Sequence, residues 1–165
     1  MKKLILAVII LFTAGIQVQA AHWAENKTIN VYIEPNSKEY SMKKAFSKWE
    51  TRANGLISFK FVDSKSDADI KVVMVEQIGG STAGLCSRQT TGNLITGATI
   101  QLSKNIRGAA QYNNDYYRTM LHEIGHALGL DHTNRLNSIM NPTTNYAQMI
   151  TGKDLQDLEK LYETD

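Results

Sequence analysis

The chain has 165 residues, a formal net charge of +2, 42% hydrophobic and 21% charged residues. That length supports one domain with a real core, and the balanced charge excludes the basic surface that nucleic acids or acidic lipids need. Cys86 is the single cysteine, so no internal disulfide exists and stability has to come from packing.

The first stretch has the pattern of an export signal. Lys2 and Lys3 precede an apolar run from Leu4 to Ile16, and Val18-Gln19-Ala20 suits cleavage before Ala21. The run is too short to span a bilayer comfortably. Residues 1–20 are therefore expected to leave as a signal peptide. Residues 21–165 remain as one secreted domain, monomeric, near neutral once the two lysines go, and without stable membrane association.

Thr28 to Ile33 puts Ile29, Val31 and Ile33 on one face and reads as a strand. Met42, Ala45, Phe46, Trp49 and Ala53 recur at helical spacing, and Asn54-Gly55 closes that helix. Ile57 to Val62 is a second strand and Asp69 to Val75 a third. The third is apolar on both faces late on and is therefore expected to be central. Gly79 opens a long Gly/Ser/Thr-rich stretch with a short edge strand at Thr82 to Ser87, and Gly97 to Leu102 is the last strand. Asn113, Asn114 and Asp115 offer caps for a helix with Tyr117, Met120, Leu121, Ile124 and Leu128 on its apolar stripe. Thr151-Gly152-Lys153-Asp154 resembles a capping box ahead of Leu155, Leu158, Leu161 and Tyr162. His22 reads as a surface residue.

The chemistry concentrates in His122-Glu123-Ile124-Gly125-His126-Ala127-Leu128-Gly129-Leu130-Asp131-His132. His122 and His126 are four apart, so on a helix their rings share a face. Gly129 is suited to end the helix with a positive φ, and the turn would bring His132 round as a third nitrogen. Three neutral imidazoles suit zinc and leave one coordination position open, which marks a catalytic site rather than a structural one. Glu123, on the shoulder of the same face, suits a general base acting on a zinc-held water. The chemistry expected is metal-assisted hydrolysis of an amide.

His-Glu-x-x-His-x-x-Gly-x-x-His with a following methionine turn is the metzincin signature. Thr133 and Ser138-Ile139-Met140-Asn141-Pro142 resemble the matrixins, the branch typified by the matrix metalloproteinases. The resemblance extends over nearly all of residues 22 to 163, through the Ala45-Phe46-x-x-Trp49 helix, the Ala68-Asp69-Ile70 strand start and the closing Leu161-Tyr162. It implies an α+β, zincin-like fold: a twisted, mixed five-stranded sheet with three helices and a zinc cleft between an upper, sheet-containing subdomain and a small lower one. It implies that His122, His126 and His132 bind one zinc, that Glu123 is the base, and that Met140 lies beneath the metal as an apolar floor. Pro142 stands where astacins and serralysins carry a tyrosine contact, so no tyrosine ligand is expected.

In the family the edge strand forms the upper rim of a cleft in which an extended protein or peptide substrate adds as a strand. By position that rim is Ser81, Thr82, Ala83, Gly84, Leu85, Cys86 and Ser87. The lower rim and pocket wall are Asn141, Pro142, Thr143 and onward to Tyr146. Residues 76–114 contain no His or Asp, so no second zinc is expected. Asp63, Asp67 and Asp69 are calcium candidates, though solvated turn acids account for them as well. Latency through a propeptide cysteine is not expected. Cys86 reads as a small buried hydrophobe, with a regulatory thiol as the other reading. Two rival functions share the motif: a narrow-specificity effector peptidase and a non-proteolytic zinc-binding protein.

Overall fold

The computed structural model describes residues 20–80, 82–104, 113–143 and 149–163, with the side chains of 113–115 left aside. Most of the signal segment, Ser81 and Tyr146 lie outside the described residues, as do the side-chain caps expected at Asn113, Asn114 and Asp115.

Five strands, β1 (Thr28–Ile33), β2 (Ser58–Phe61), β3 (Ile70–Val75), β4 (Gly84–Thr91) and β5 (Leu94–Ser103), form one sheet in the order β2-β1-β3-β5-β4. β1 pairs in parallel with β2 and β3, and β3 with β5, whereas β4 runs antiparallel to β5. The sheet is therefore mixed, with β3 at its centre as its apolar sequence implies. Among the described residues three α-helices complete the fold: α1 (Glu39–Arg52), α2 (Asn113–Ala127) and α3 (Gly152–Tyr162).

The helical stripes go where their periodicity sends them. Met42, Ala45, Phe46 and Trp49 of α1 are buried together with Met120, Leu121, Ile124 and Leu128 of the α2 region. The Trp49 indole also donates from Nε1 to the Leu121 carbonyl at 2.9 Å, so the two helices are tied by packing and by a buried hydrogen bond. The capping box is present in α3. Thr151 accepts from the Asp154 N–H, and the Asp154 carboxylate accepts from the Thr151 N–H. Leu158, Leu161 and Tyr162 are buried, and Leu155 packs partly buried against them.

Two sequence expectations need correction. The edge strand is longer than Thr82 to Ser87: β4 continues to Thr91, turns at Gly92-Asn93, and forms a hairpin with β5, which starts at Leu94. Leu85, Ser87 and Gln89 are exposed along this edge, so its polar, Gly/Ser/Thr-rich composition hides the strand. His22 is not on the surface. It is buried, its N–H donates to Asn93 O and its carbonyl accepts from Ile95 N, and its ring lies 5.1 Å from that of Tyr162. Trp23 beside it is buried too and donates from Nε1 to Ala127 O, so residues 21–23 close the base of α2.

Asp69 serves the sheet: its carboxylate accepts from the Asn30 N–H at 2.8 Å and pairs with Lys27 at 3.0 Å.

Trp49→Ala should cost ~3–5 kcal/mol in urea unfolding. Trp49→Phe, which keeps most of the volume and loses the bond to Leu121, should cost ~1–2 kcal/mol. Equal losses for the two variants would contradict this division.

Candidate metal centre

α2 places His122 and His126 one turn apart, and Gly129 then ends the helix at φ 110, a conformation that favours glycine. Gly129 has a second constraint: a Cβ there would collide with the Ala21 carbonyl oxygen and the Leu161 side chain. The sharp turn returns the chain so that His132 faces the two helical rings. The three Nε2 atoms form a triangle with every side 3.1 Å. Three nitrogens held at about 2.0–2.1 Å by one tetrahedral zinc would lie roughly 3.3 Å apart, so the spacing fits such an ion.

The donor chemistry fits as well. Nδ1 of His122 lies 2.7 Å from Ile139 O, and Nδ1 of His126 lies 2.7 Å from Leu130 O. A carbonyl only accepts, so each Nδ1 carries the proton and each Nε2 turns its lone pair inward. Burial holds the His122 ring well below its ordinary 6.5, at about 4, and lowers His126 in the same direction. Both rings are therefore neutral at neutral pH and ready to ligate. Among the described residues, these three are the one group of three or more His, Cys, Asp or Glu side chains able to hold a metal ion.

Glu123 is buried beside the trio, and burial pushes its carboxyl from 4.5 up to about 7, against the opposing pull of the Cys86 backbone N–H. Gly84 packs directly on it. A Cβ at 84 would fall 2.7 Å from Glu123 Cγ and Oε1, so the strand could not lie this close with a larger residue. Met140 is buried, with its sulfur against Gly125 of α2, where a Cβ would strike it.

The remaining predicted cleft residues divide. Thr82 and Ala83 lead into β4, which carries Gly84, Leu85 and Cys86, and the far edge of β4 has no strand partner among the described residues. Leu85 is exposed. Burial pushes the Cys86 thiol up to about 12, which disfavours the thiolate at neutral pH. Pro142 and Thr143 are exposed. Asn141 is buried, and its amide donates to Thr133 O and Arg135 O inside the turn.

Sequence reasoning missed two supporting residues. The buried Asp154 carboxylate accepts from Ser138 Oγ and, at 3.2 Å, from the Ile139 N–H. The Ile139 carbonyl then accepts from His122, so one residue, Ile139, links α3 to the His122 ring. The capping box signals Asp154 but not this second use. Arg118, buried one turn before His122, donates to Asn141 O and Thr143 O, each at 3.1 Å. Its only signal is a charge between Tyr117 and Met120 on an otherwise apolar face.

A mixed five-stranded sheet, three helices and a histidine trio beneath an antiparallel edge strand define an α+β fold of the metzincin class. The sequence model of the matrixin family matches residues 21–163, and the chain belongs to that family. Macrophage metalloelastase of Oryctolagus cuniculus is 27% identical over 135 residues, covering 75% of this chain and 28% of its own. Matrix metalloproteinase-16 of Homo sapiens is 40% identical over 53 residues, 30% of this chain and 9% of its own. The chain thus spans less than a third of the length of these curated relatives. The structure of myroilysin shares the fold with a TM-score of 0.63 at 16% identity, covering 88% of this chain and 83% of that one.

The two titrations have opposite signs in the metal-free protein. Between about pH 4.5 and 7 the folded Glu123 holds a proton that the unfolded chain has released, so its contribution to stability is lost as pH rises. Between about pH 6.5 and 4 the unfolded chain protonates His122 before the folded state does, so stability is lost as pH falls. Glu123→Gln removes only the first effect. Its stability advantage over the parent should widen by on the order of 2 kcal/mol from pH 5 to pH 8 in urea unfolding. A gap that stays constant with pH would mean that Glu123 is not a buried acid.

Proposed function

We propose that residues 21–165 form a secreted zinc-dependent endopeptidase, exported by a signal peptide at residues 1–20, that cuts extended protein or peptide substrates as a monomer. His122, His126 and His132 would hold the zinc and Glu123 would be the catalytic base. The observation that carries this reading is the meeting of three Nε2 atoms 3.1 Å apart with a buried carboxyl alongside. A purely structural metal site has no use for that carboxyl. Family membership supports zinc and peptide hydrolysis, and the relatives' names, a metalloelastase and a matrix metalloproteinase, point to protein substrates.

Zinc, when bound, would polarise the scissile carbonyl and acidify water for attack. The chain's own groups do the rest. The ring tautomers of His122 and His126 are set in advance by Ile139 O and Leu130 O. Glu123 accepts the proton of the attacking water and later hands it to the leaving amine, a task suited to a carboxyl whose burial raises its proton affinity. The Cys86 N–H steadies the ionised carboxylate. Pairing with the free edge of β4 would hold the substrate extended, as strand addition does elsewhere. The segment from Pro142 onward would wall a pocket for an apolar side chain just after the scissile bond. No helix among the described residues is long and apolar enough to cross a membrane.

Glu123→Ala should keep stoichiometric zinc and a cooperative unfolding transition while proteolysis of casein falls at least ~100-fold. A chelator should abolish the parent's activity and added zinc restore it. Retained turnover in the variant, or in chelator, would remove the assignment. A peptide library should show an apolar preference on the leaving-group side, and a charged preference there would overturn the pocket reading.

A further inference from the structure

Two of the three histidines have a ring partner behind them, and the third does not. Ile139 O and Leu130 O hold Nδ1 of His122 and His126, whereas no described protein atom meets Nδ1 of His132, which is also the exposed member of the trio. The aim of His132 therefore depends on the backbone that delivers it, a turn passing through Gly129, Leu130 and Asp131.

One side chain from a different element bridges that turn. Gly84, Cys86 and Arg88 follow each other at two-residue spacing along β4, so they project from one face of the strand. The first two meet Glu123, by close packing at Gly84 and through the Cys86 N–H. Arg88 reaches further along α2. One guanidinium nitrogen donates to His126 O at 3.3 Å and the other to Asp131 Oδ1 at 2.8 Å. The first acceptor belongs to the second histidine and the other adjoins the third, so one rigid fork spans the turn between them. A cation also suits the carbonyl end of a helix, where His126 O lies.

We propose that Arg88 is a positioning residue for the metal centre, clasping the turn between His126 and His132 to the edge strand through Asp131. This rests on the zinc reading above. Asp131 is largely exposed, at 73% of its side chain, so the charge attraction is screened by solvent. The contribution is restraint. Arg88 is anchored in a strand where it pairs with Ala98 of β5, and it removes freedom from a turn that otherwise has to find its geometry each time metal binds. In this respect the clasp does for His132 what ring partners do for the other two.

The test is zinc release from the loaded mature protein into excess chelator. Asp131→Asn, at an exposed position, and Arg88→Ala should each speed release about tenfold, the scale of lost outer-shell partners. The double variant should be no faster than Arg88→Ala alone, because both changes undo one clasp. Melting temperatures of the metal-free forms should match the parent's, which a general packing role for Arg88 would not allow. Release within about twofold of the parent in both single variants, or effects that multiply in the double, would overturn the clasp and leave the peptidase reading intact. A parent that takes up no zinc would sink both.

Discussion

Two backbone carbonyls govern this site. Ile139 O and Leu130 O each take an Nδ1 proton from a histidine, and that choice of proton leaves Nε2 bare on both rings. Without those carbonyls the rings could spin or swap tautomers, and a shared triangle of lone pairs would be one arrangement among several. Both carbonyls lie on chain that has already left α2, one in the turn after it and the other beyond His132. The candidate metal centre is therefore a property of how α2 is wrapped and not of α2 alone.

Other contacts serve that wrapping. Gly129 turns the chain, and the Ala21 carbonyl and Leu161 press so closely on it that no side chain fits. Asp154 caps α3 and, with the same carboxylate, holds Ser138 and Ile139 in place. Met140 fills the space beside Gly125. Burial that gives these contacts their definition also shifts proton affinities in opposite directions, lowering His122 and His126 and raising Glu123. Two neutral ring nitrogens and a proton-hungry carboxyl side by side suit metal-assisted hydrolysis, and desolvation produces both at once.

Much of this architecture was readable from residue order. The period of Met42, Ala45, Phe46 and Trp49 marked a buried helix face, the double-sided apolar run before Val75 marked a central strand, and Thr151 and Asp154 marked a helix start. Each is a local pattern with a local cause. Where the reading fell short, the cause was not local. The later half of β4, Arg88 to Thr91, looks like loop because one face is open to water and its stability comes from β5, so composition understates it. His22 looks like a polar surface residue because nothing near it in sequence announces that Tyr162 and Asn93 will enclose it.

By itself, the amino-acid order determined which atoms were available for chemistry: three imidazoles and a carboxyl at helix-and-turn spacing, a glycine able to turn, and a methionine to follow. The spacing carries that information because a helix repeats every 3.6 residues whatever surrounds it. Only the tertiary structure decided the rest. It set which ring nitrogen faces inward, how far Glu123 is taken from water, and which distant groups hold the chain after α2, Arg88 at the turn before His132 and Asp154 and Arg118 at the segment around Met140. Those outcomes depend on contacts across tens of residues, and hydrogen-bond direction and burial have no value until the chain has closed on itself.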